Sequence, residues 1–152
     1  MRKDAAPDFQ HMDEQCLYID VFQSALPENP MIRDHMYVLA VHDLARSAAF
    51  YRDALGFTVH EMGDPGWRMF ERDGCCIMAG ECRDAMPAAD TGDHAYFGYL
   101  VVDDADAEYA RVVAAGAEIT KPLKDEPWGM REFGLRTVDG HRLMLGHELP
   151  AA

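Results

Sequence analysis

The sequence has few basic residues and no long apolar run, and each absence excludes a class of protein. Lysine and arginine number 14 against 27 aspartates and glutamates, and the resulting net charge of −13 argues against nucleic acid or an anionic membrane surface as the main partner. No apolar run approaches the roughly 18 residues that a membrane span needs. A neutral or cationic small molecule fits this charge better.

Disulfide and secretion signals are also missing. The four cysteines, Cys16, Cys75, Cys76 and Cys82, form no CxxC pair and no regular framework. The first residues, MRKDAAPDFQHMDEQC, lack the apolar core of a signal peptide. We therefore expect a cytoplasmic protein with reduced thiols.

The segment 1–33 has no counterpart elsewhere in the chain. It contains a polar start, a possible helix in MDEQCLYIDVFQSAL and the breaker LPENP. We expect an N-terminal extension over 1–33 that packs on the following domain or on a partner subunit, and the sequence leaves both possibilities open.

Beyond this segment the chain contains an internal repeat, whose first sign is a pair of matching helices. In VLAVHDLARSAAFYRDALGFTV, an apolar run leads to Asp43 as predicted N-cap and to Gly56 as helix stop. In YLVVDDADAEYARVVAAGAEI, Asp103 and Gly116 take the same roles. The number of residues from Asp43 to Asp103 equals the number from Gly56 to Gly116. The two stretches therefore predict equivalent strand–helix units.

The repeat continues into a pair of Asp-Gly hairpins. FERDGCCIM aligns with LRTVDGHRLM, so that the Asp-Gly pair at 73–74 matches the pair at 139–140, and Met78 matches Met144. The interval from helix to turn is longer in the second module, and the extra residues lie most simply within KPLKDEPWG.

Each repeat reads as a strand, a helix and three strands, which predicts an α+β fold of two βαβββ modules. Two curved four-stranded sheets, each with a helix on its outer face, would leave concave faces for a ligand. The modules cover 34–81 and 94–149 of one domain, 34–149, and are joined by the linker ECRDAMPAADTGD. The predicted elements are 36–42, 44–55, 57–62, 66–72 and 75–80, then 95–102, 104–115, 117–121, 131–137 and 141–146.

Residues 34–149 resemble the glyoxalase/bleomycin-resistance superfamily, also called the vicinal oxygen chelate superfamily. The resemblance rests on VHDLARSAAFYRDALGF, VVDDADAEYARVVAAGAEI and REFGLRTVDGHRLMLGHEL. The stretch EPWGMREFGLRTVDGHRLMLGHEL is most similar to the bleomycin-resistance branch, whose members bind a cationic glycopeptide at a dimer interface without a metal of their own. The resemblance therefore implies the paired βαβββ fold and a homodimeric antibiotic-resistance protein.

Metal enzymes of this superfamily place ligands at four equivalent strand positions, and the resemblance assigns these to Met36, Met78, Phe97 and Met144. None of the four offers the imidazole nitrogen or carboxylate oxygen that divalent ions prefer. We therefore expect no metal and no cofactor.

An unusual metal site built from His35, His94 and Glu148 is the alternative. His35 and His94 lie one and three residues before the assigned positions, and a slip of one residue turns a strand side chain to the opposite face. Such a site would need unusual geometry.

Methionine and aromatic side chains dominate the predicted ligand site. Methionine is adaptable and polarizable, and aromatic rings add stacking surfaces for a bulky planar ligand. The predicted ligand-binding residues are Met36, Trp67, Met78, Phe97, Tyr99, Trp128, Phe133 and Met144.

These observations favour a metal-free protein that sequesters a bulky cationic or aromatic ligand in a cavity or at a dimer interface, without catalysis. The alternative is a metal-dependent enzyme of the same fold, such as a glyoxalase-like lyase, an isomerase or a dioxygenase. A third possibility is a module that scavenges an aromatic natural product.

Overall fold

The computed structural model describes residues 34–150, so the predicted helix and the extension over 1–33 lie outside the described residues. Within 34–150 no helix is both long enough and apolar enough to cross a membrane. Eight strands and two α-helices are described, together with a short 3-10 segment at Ala88–Ala95. The elements are β1 Tyr37–Val41, α1 Leu44–Asp53, β2 Thr58–Glu61, β3 Trp67–Arg72, β4 Cys75–Glu81, β5 Tyr96–Val101, α2 Ala105–Ala114, β6 Glu118–Asp125, β7 Met130–Arg136 and β8 Arg142–Glu148.

The strands form two four-stranded sheets of the same topology. The first sheet has the order β1-β4-β3-β2 and the second the order β5-β8-β7-β6. In each sheet the first strand runs parallel to the last, and the remaining pairs are antiparallel. This arrangement confirms the predicted α+β fold of two βαβββ modules. Strand β6 runs to Asp125, past its predicted end at 121, because part of the extra segment of the second module continues the strand.

The helix boundaries follow local capping chemistry. The Asp43 carboxylate accepts a hydrogen bond from the Arg46 amide at 3.0 Å, as predicted for an N-cap. In the second module Asp104, one residue beyond the predicted Asp103, caps α2 by accepting from the Ala107 amide at 3.0 Å. The prediction of Asp103 was therefore wrong by one residue, since two consecutive aspartates offer the same cap.

Aromatic side chains anchor each helix to its own sheet. Tyr51 of α1 stacks on Phe70 of β3 with ring centroids 4.6 Å apart. Tyr109 of α2 meets Phe133 of β7 edge to face at 5.2 Å. Burial of each such side chain contributes about 1.5 to 3 kcal/mol. Because strand residues alternate between faces, these contacts define the helix side of each sheet and leave the other side open.

Polar contacts join the two modules through hairpins and helices. Arg72, at the end of β3, donates to Glu108 of α2 at 2.5 Å, and Arg111 donates to the same carboxylate. Burial opposes ionisation of Glu108, but the two arginines outweigh it and lower its pKa. At the other hairpin, the Ser47 hydroxyl of α1 donates to the Asp139 carboxylate at 2.8 Å. Each hairpin therefore contacts the helix of the other module.

Candidate functional site

The side of the first sheet away from its helix is apolar and rich in sulfur; we call it the first open face. Phe70 and Ile77 point to the core and are fully buried, so Met69 and Met78, their strand neighbours, lie on the open side. These two methionines are direct register partners, and Val38 of β1 pairs with Met78 on its other side. Val38 is 57% exposed and Met69 and Met78 are partly exposed, so within the described residues this face is accessible to solvent.

A glycine in each module lets an aromatic side chain cross the open side of the sheet. A Cβ atom at Gly80 would lie 2.8 to 2.9 Å from the Trp67 indole, so the ring lies directly over β4. Gly146 is its counterpart on β8, where a Cβ would lie 2.7 Å from that of Glu132 and would collide with the Tyr99 hydroxyl. Both rings therefore depend on the missing side chain beneath them.

The corresponding side of the second sheet, the second open face, is centred on a buried carboxylate. Glu132 of β7 is only 4% exposed and accepts hydrogen bonds from the Tyr99 hydroxyl at 2.7 Å and the Lys121 ammonium at 2.5 Å. The Trp128 indole nitrogen donates to it at 3.3 Å. Burial disfavours the charged form of Glu132, but these hydrogen bonds outweigh burial and lower its pKa. Burial, with the bond to Glu132, raises the pKa of Tyr99, which stays a neutral donor.

Trp128 lies at the rim of the second open face. It lies between β6 and β7, and its side chain is among the large apolar ones left exposed, at 63%. The Lys121 ammonium lies 5.2 Å from the centre of the ring, within the range of a cation–π contact. Trp128 thus combines one polar anchor with a ring surface that is accessible to a ligand.

The structure separates the predicted ligand-binding residues into three groups. Met36, Trp67 and Met78 lie on the first open face, and Tyr99, Trp128 and Met144 on the second. Phe133 instead is fully buried on the helix side of β7, so we remove it from the site. Phe97 lies edge-on to Tyr37 and His141, at 5.7 and 5.8 Å. A register shift in β5 between Tyr96 and Gly98 explains this, and it is Tyr99 that pairs directly with Met144.

Sequence reasoning did not select several residues of the open faces. Met69 was detectable, because it lies two residues from Trp67 on a predicted strand and must share its face. Val38 and Val101, 57% and 73% exposed, carry no local signal that distinguishes them from core valines. Glu132 receives its hydrogen bond from Tyr99 on a distant strand, and only sheet pairing reveals that contact.

The four positions assigned to metal ligands do not suit a divalent ion. Met36, Met78 and Met144 present thioethers, and Phe97 presents a ring that contacts Tyr37. Within the described part of the chain, no three His, Cys, Asp or Glu side chains form a group that could hold a metal ion. The alternative set of His35, His94 and Glu148 is therefore not brought together.

A cavity of about 570 Å³ lies beside edge strand β5, between the β3–β4 turn and the start of α2. Its lining combines aromatic rings with a surplus of acidic side chains over basic ones. The aromatic members are Tyr37, Phe57 and Tyr99, and the acidic members are Asp73, Asp103, Asp104 and Glu108. Tyr99 links this cavity to the second open face.

Comparison with known proteins agrees with the fold. Residues 33–145 match the Glyoxalase/Bleomycin resistance protein/Dioxygenase superfamily. Glutathione transferase FosA of Serratia marcescens is 30% identical over 109 residues, which are 70% of this chain and 74% of the relative. A glyoxalase/bleomycin resistance protein/dioxygenase from Nocardioides has a similar structure, with a TM-score of 0.62, 24% identity and coverage of 91% of this chain and 95% of that one. TnmS3, an antibiotic binding protein from Streptomyces sp. CB03234, superimposes with a TM-score of 0.61 at 21% identity, over 78% of this chain and 99% of its own. The chain therefore belongs to the glyoxalase/bleomycin resistance protein/dioxygenase superfamily.

Proposed function

We propose that this protein binds and sequesters a bulky aromatic, cationic small molecule, and that it does so without a divalent metal or a catalytic step. The observation that carries the proposal is the uncovered apolar surface of the open faces. Met36, Val38 and Trp128 are 45%, 57% and 63% exposed, although side chains of this kind are normally buried. Contiguous exposed apolar surface in a single chain marks a ligand or partner site.

Charge supports a cationic ligand. The net charge of −13 attracts cations over long distances, at a rate that falls as salt rises. The cavity beside β5 adds a local acidic surplus next to the aromatic ring of Tyr99. Glu132 is already paired with Lys121, and Glu108 with two arginines, so we assign attraction of the cation to the aspartates at the cavity rim.

We propose that the protein is a homodimer in which the open faces of two chains form one ligand crevice. We also propose that it acts in the cytoplasm. One open face covers only one side of a planar ligand, whereas two chains related by a two-fold axis would enclose it. TnmS3, described as an antibiotic binding protein, shares the fold, which supports the use of this fold for ligand binding. In this proposal residues 34–149 are the binding domain, and residues 1–33 are a separate N-terminal extension. A monomer in light scattering at micromolar concentration would exclude the shared crevice.

The test measures binding of metal-free bleomycin to chelator-treated protein, by calorimetry and by thermal shift. At 100 times its dissociation constant a ligand adds about 2.7 kcal/mol, which raises the melting temperature of a protein of this size by about 5 to 10 °C. Binding should also weaken from low to physiological salt. The absence of any shift and any heat with this probe would contradict binding of a cationic glycopeptide and turn the search to other aromatic ligands.

A pair of variants tests the site itself. Trp128→Ala should weaken binding by about 1 to 3 kcal/mol, or roughly 5- to 150-fold, because it removes an exposed stacking surface. Val113→Ala is the matched control, since Val113 is 46% exposed on α2, on the helix side of the second sheet. Equal affinities for both variants would show that Trp128 covers the turn and does not bind the ligand.

The relationship with FosA supports a second candidate function. The relative is a glutathione transferase that is 30% identical to this chain, so a group-transfer enzyme is the alternative. Parallel thermal-shift scans with nickel, zinc, iron and manganese distinguish the two. Stabilisation by one of these ions alone, together with a stoichiometric amount of it in protein purified without chelator, would favour the enzyme.

A further inference from the structure

Four sulfur-containing side chains lie together on the first open face. Met69 of β3 and Met78 of β4 are direct register partners, and Cys76 lies two residues before Met78 on the same side of β4. Continuing the β1–β4 register by one residue places Met36 beside Cys76. Directly opposed side chains have Cβ atoms about 4.5 to 5.5 Å apart, within reach of a shared ion for flexible thioethers.

The fold does not require sulfur at these places, as the second module shows. There the pair equivalent to Met69 and Met78 is Gly134 and Met144, and Arg142 lies two residues before Met144. The same βαβββ topology therefore forms with a single sulfur in the corresponding positions. The topology alone therefore does not account for the concentration of sulfur in the first module.

We infer that the first open face binds one soft monovalent metal ion, Cu(I), through Met69, Met78 and Cys76, with Met36 beside them. Thioether and thiolate sulfur are the ligands that select Cu(I), whereas hard divalent ions prefer oxygen and imidazole nitrogen. The Cys76 thiol releases its proton to solvent when its sulfur binds the ion, and no electron is transferred. The inference goes beyond the proposed function, since it concerns the same face but a different ligand.

Two neighbouring side chains fit such a site. His60 of β2 is the register partner of Met69 on the side away from Met78, and its side chain is 51% exposed. Imidazole is also a copper ligand, so His60 becomes a further donor if it leaves its 3.8 Å contact with the Glu71 carboxylate. Trp67 lies two residues from Met69 on the same face, and its indole covers β4 at Gly80. The ion would therefore be partly shielded from water.

The experiment is an anaerobic titration of the reduced, full-length protein with Cu(I) against bathocuproine disulfonate, which reports copper by its colour. The wild type should withdraw one equivalent of Cu(I) from the chelator. Met69→Leu/Met78→Leu conserves volume, so the sheet should fold as before. Because even second-shell changes cost about 10- to 100-fold in metal affinity, this double variant and Cys76→Ala should each lose more than about tenfold.

Matched controls separate this site from other sulfur atoms. Met144→Leu changes the equivalent methionine of the second module, and Cys82→Ala removes an exposed cysteine outside the cluster; both should bind copper like the wild type. Failure of the wild type to compete with the chelator would refute the inference. So would unchanged affinity in Met69→Leu/Met78→Leu and in Cys76→Ala. The bleomycin titration uses chelator-treated protein, which contains no copper. The copper site and the bleomycin site are therefore tested separately, and either proposal can fail while the other holds.

Discussion

Replacement of Gly146 by alanine tests how the second open face is built. The new methyl group would meet the Tyr99 hydroxyl, the Glu132 Cβ at 2.7 Å and the Arg131 carbonyl oxygen at 2.9 Å. Two of these neighbours belong to the hydrogen bond between Tyr99 and Glu132. Glu132 has little room to move, since it is buried and also binds Lys121, whereas Tyr99 is 38% exposed and can turn away only by giving up its bond to Glu132. The substitution must therefore break or stretch the hydrogen bond.

Two effects set the size of the change. Overpacking of a tight site costs about 1 to 3 kcal/mol, and a hydrogen bond to a charged group contributes about 1.5 to 3 kcal/mol. The two costs are not additive, because breaking the hydrogen bond lets the side chains move and so reduces the overpacking. We therefore expect Gly146→Ala to lower the free energy of unfolding by about 2 to 4 kcal/mol in total. At about 2 to 4 °C per kcal/mol this lowers the melting temperature by roughly 5 to 15 °C.

The assay is urea unfolding of three variants alongside the wild type. Gly63→Ala is the control, because its Cβ would meet nothing within 4 Å, and it should stay within about 0.5 kcal/mol of the wild type. Tyr99→Phe on the Gly146→Ala background removes the hydroxyl nearest to the new methyl group, so it should recover about 1 kcal/mol of the overpacking cost. Gly146→Ala with wild-type stability, or a double variant that recovers nothing, would refute the described packing of Tyr99 over β8.

Three further results are expected. Glu108→Gln should destabilise the protein by about 1 to 3 kcal/mol in urea unfolding, because it weakens the charged hydrogen bonds from Arg72 of the other module and from Arg111 of the same helix. The more exposed Glu118→Gln should change stability by less than about 0.5 kcal/mol. Burial lowers the pKa of His141 in the folded protein, so the imidazole of the unfolded chain binds its proton at a higher pH. Stability should therefore fall as the pH drops below about 6.5, and His141→Gln should weaken this pH dependence between about pH 7.5 and 5.5. An unchanged dependence of stability on pH in His141→Gln would argue against the buried imidazole. Phe133→Ala should cost about 3 to 5 kcal/mol in thermal unfolding, as expected of a core residue; a loss of ligand affinity with unchanged stability would return it to the site.

Short-range signals account for the part of the fold that was predictable. Asp43 caps α1 and Gly56 follows it with φ of +71°, both within a few residues of the apolar run that forms the helix. The internal repeat, with its matching caps, stops and Asp-Gly turns, then predicts the second module from the first. The one-residue error at Asp103 arose where two adjacent residues satisfy the same capping chemistry equally well.

The candidate site was only partly predictable, because strand parity and register are not local properties. Phe133 and Glu132 are neighbours on β7, yet one is in the core and the other on the open face. The register shift in β5 leaves Phe97 without a direct partner on β8 and pairs Tyr99 with Met144. A shift of one residue reverses the face of every side chain that follows it, and the sequence around residues 96–98 contains no signal for the shift.

The sequence by itself determined the order and kind of the elements, the two-module repeat and the absence of oxygen or nitrogen donors at the positions assigned to metal ligands. These properties depend on caps, stops, turns and residue identity, which act within a few residues of chain. Only the tertiary structure decided which side chains share an open face, which carboxylate is buried among them and which sulfur-containing residues of β3 and β4 pair. Those contacts join residues far apart in the chain, and they depend on sheet register and strand twist that no short segment specifies.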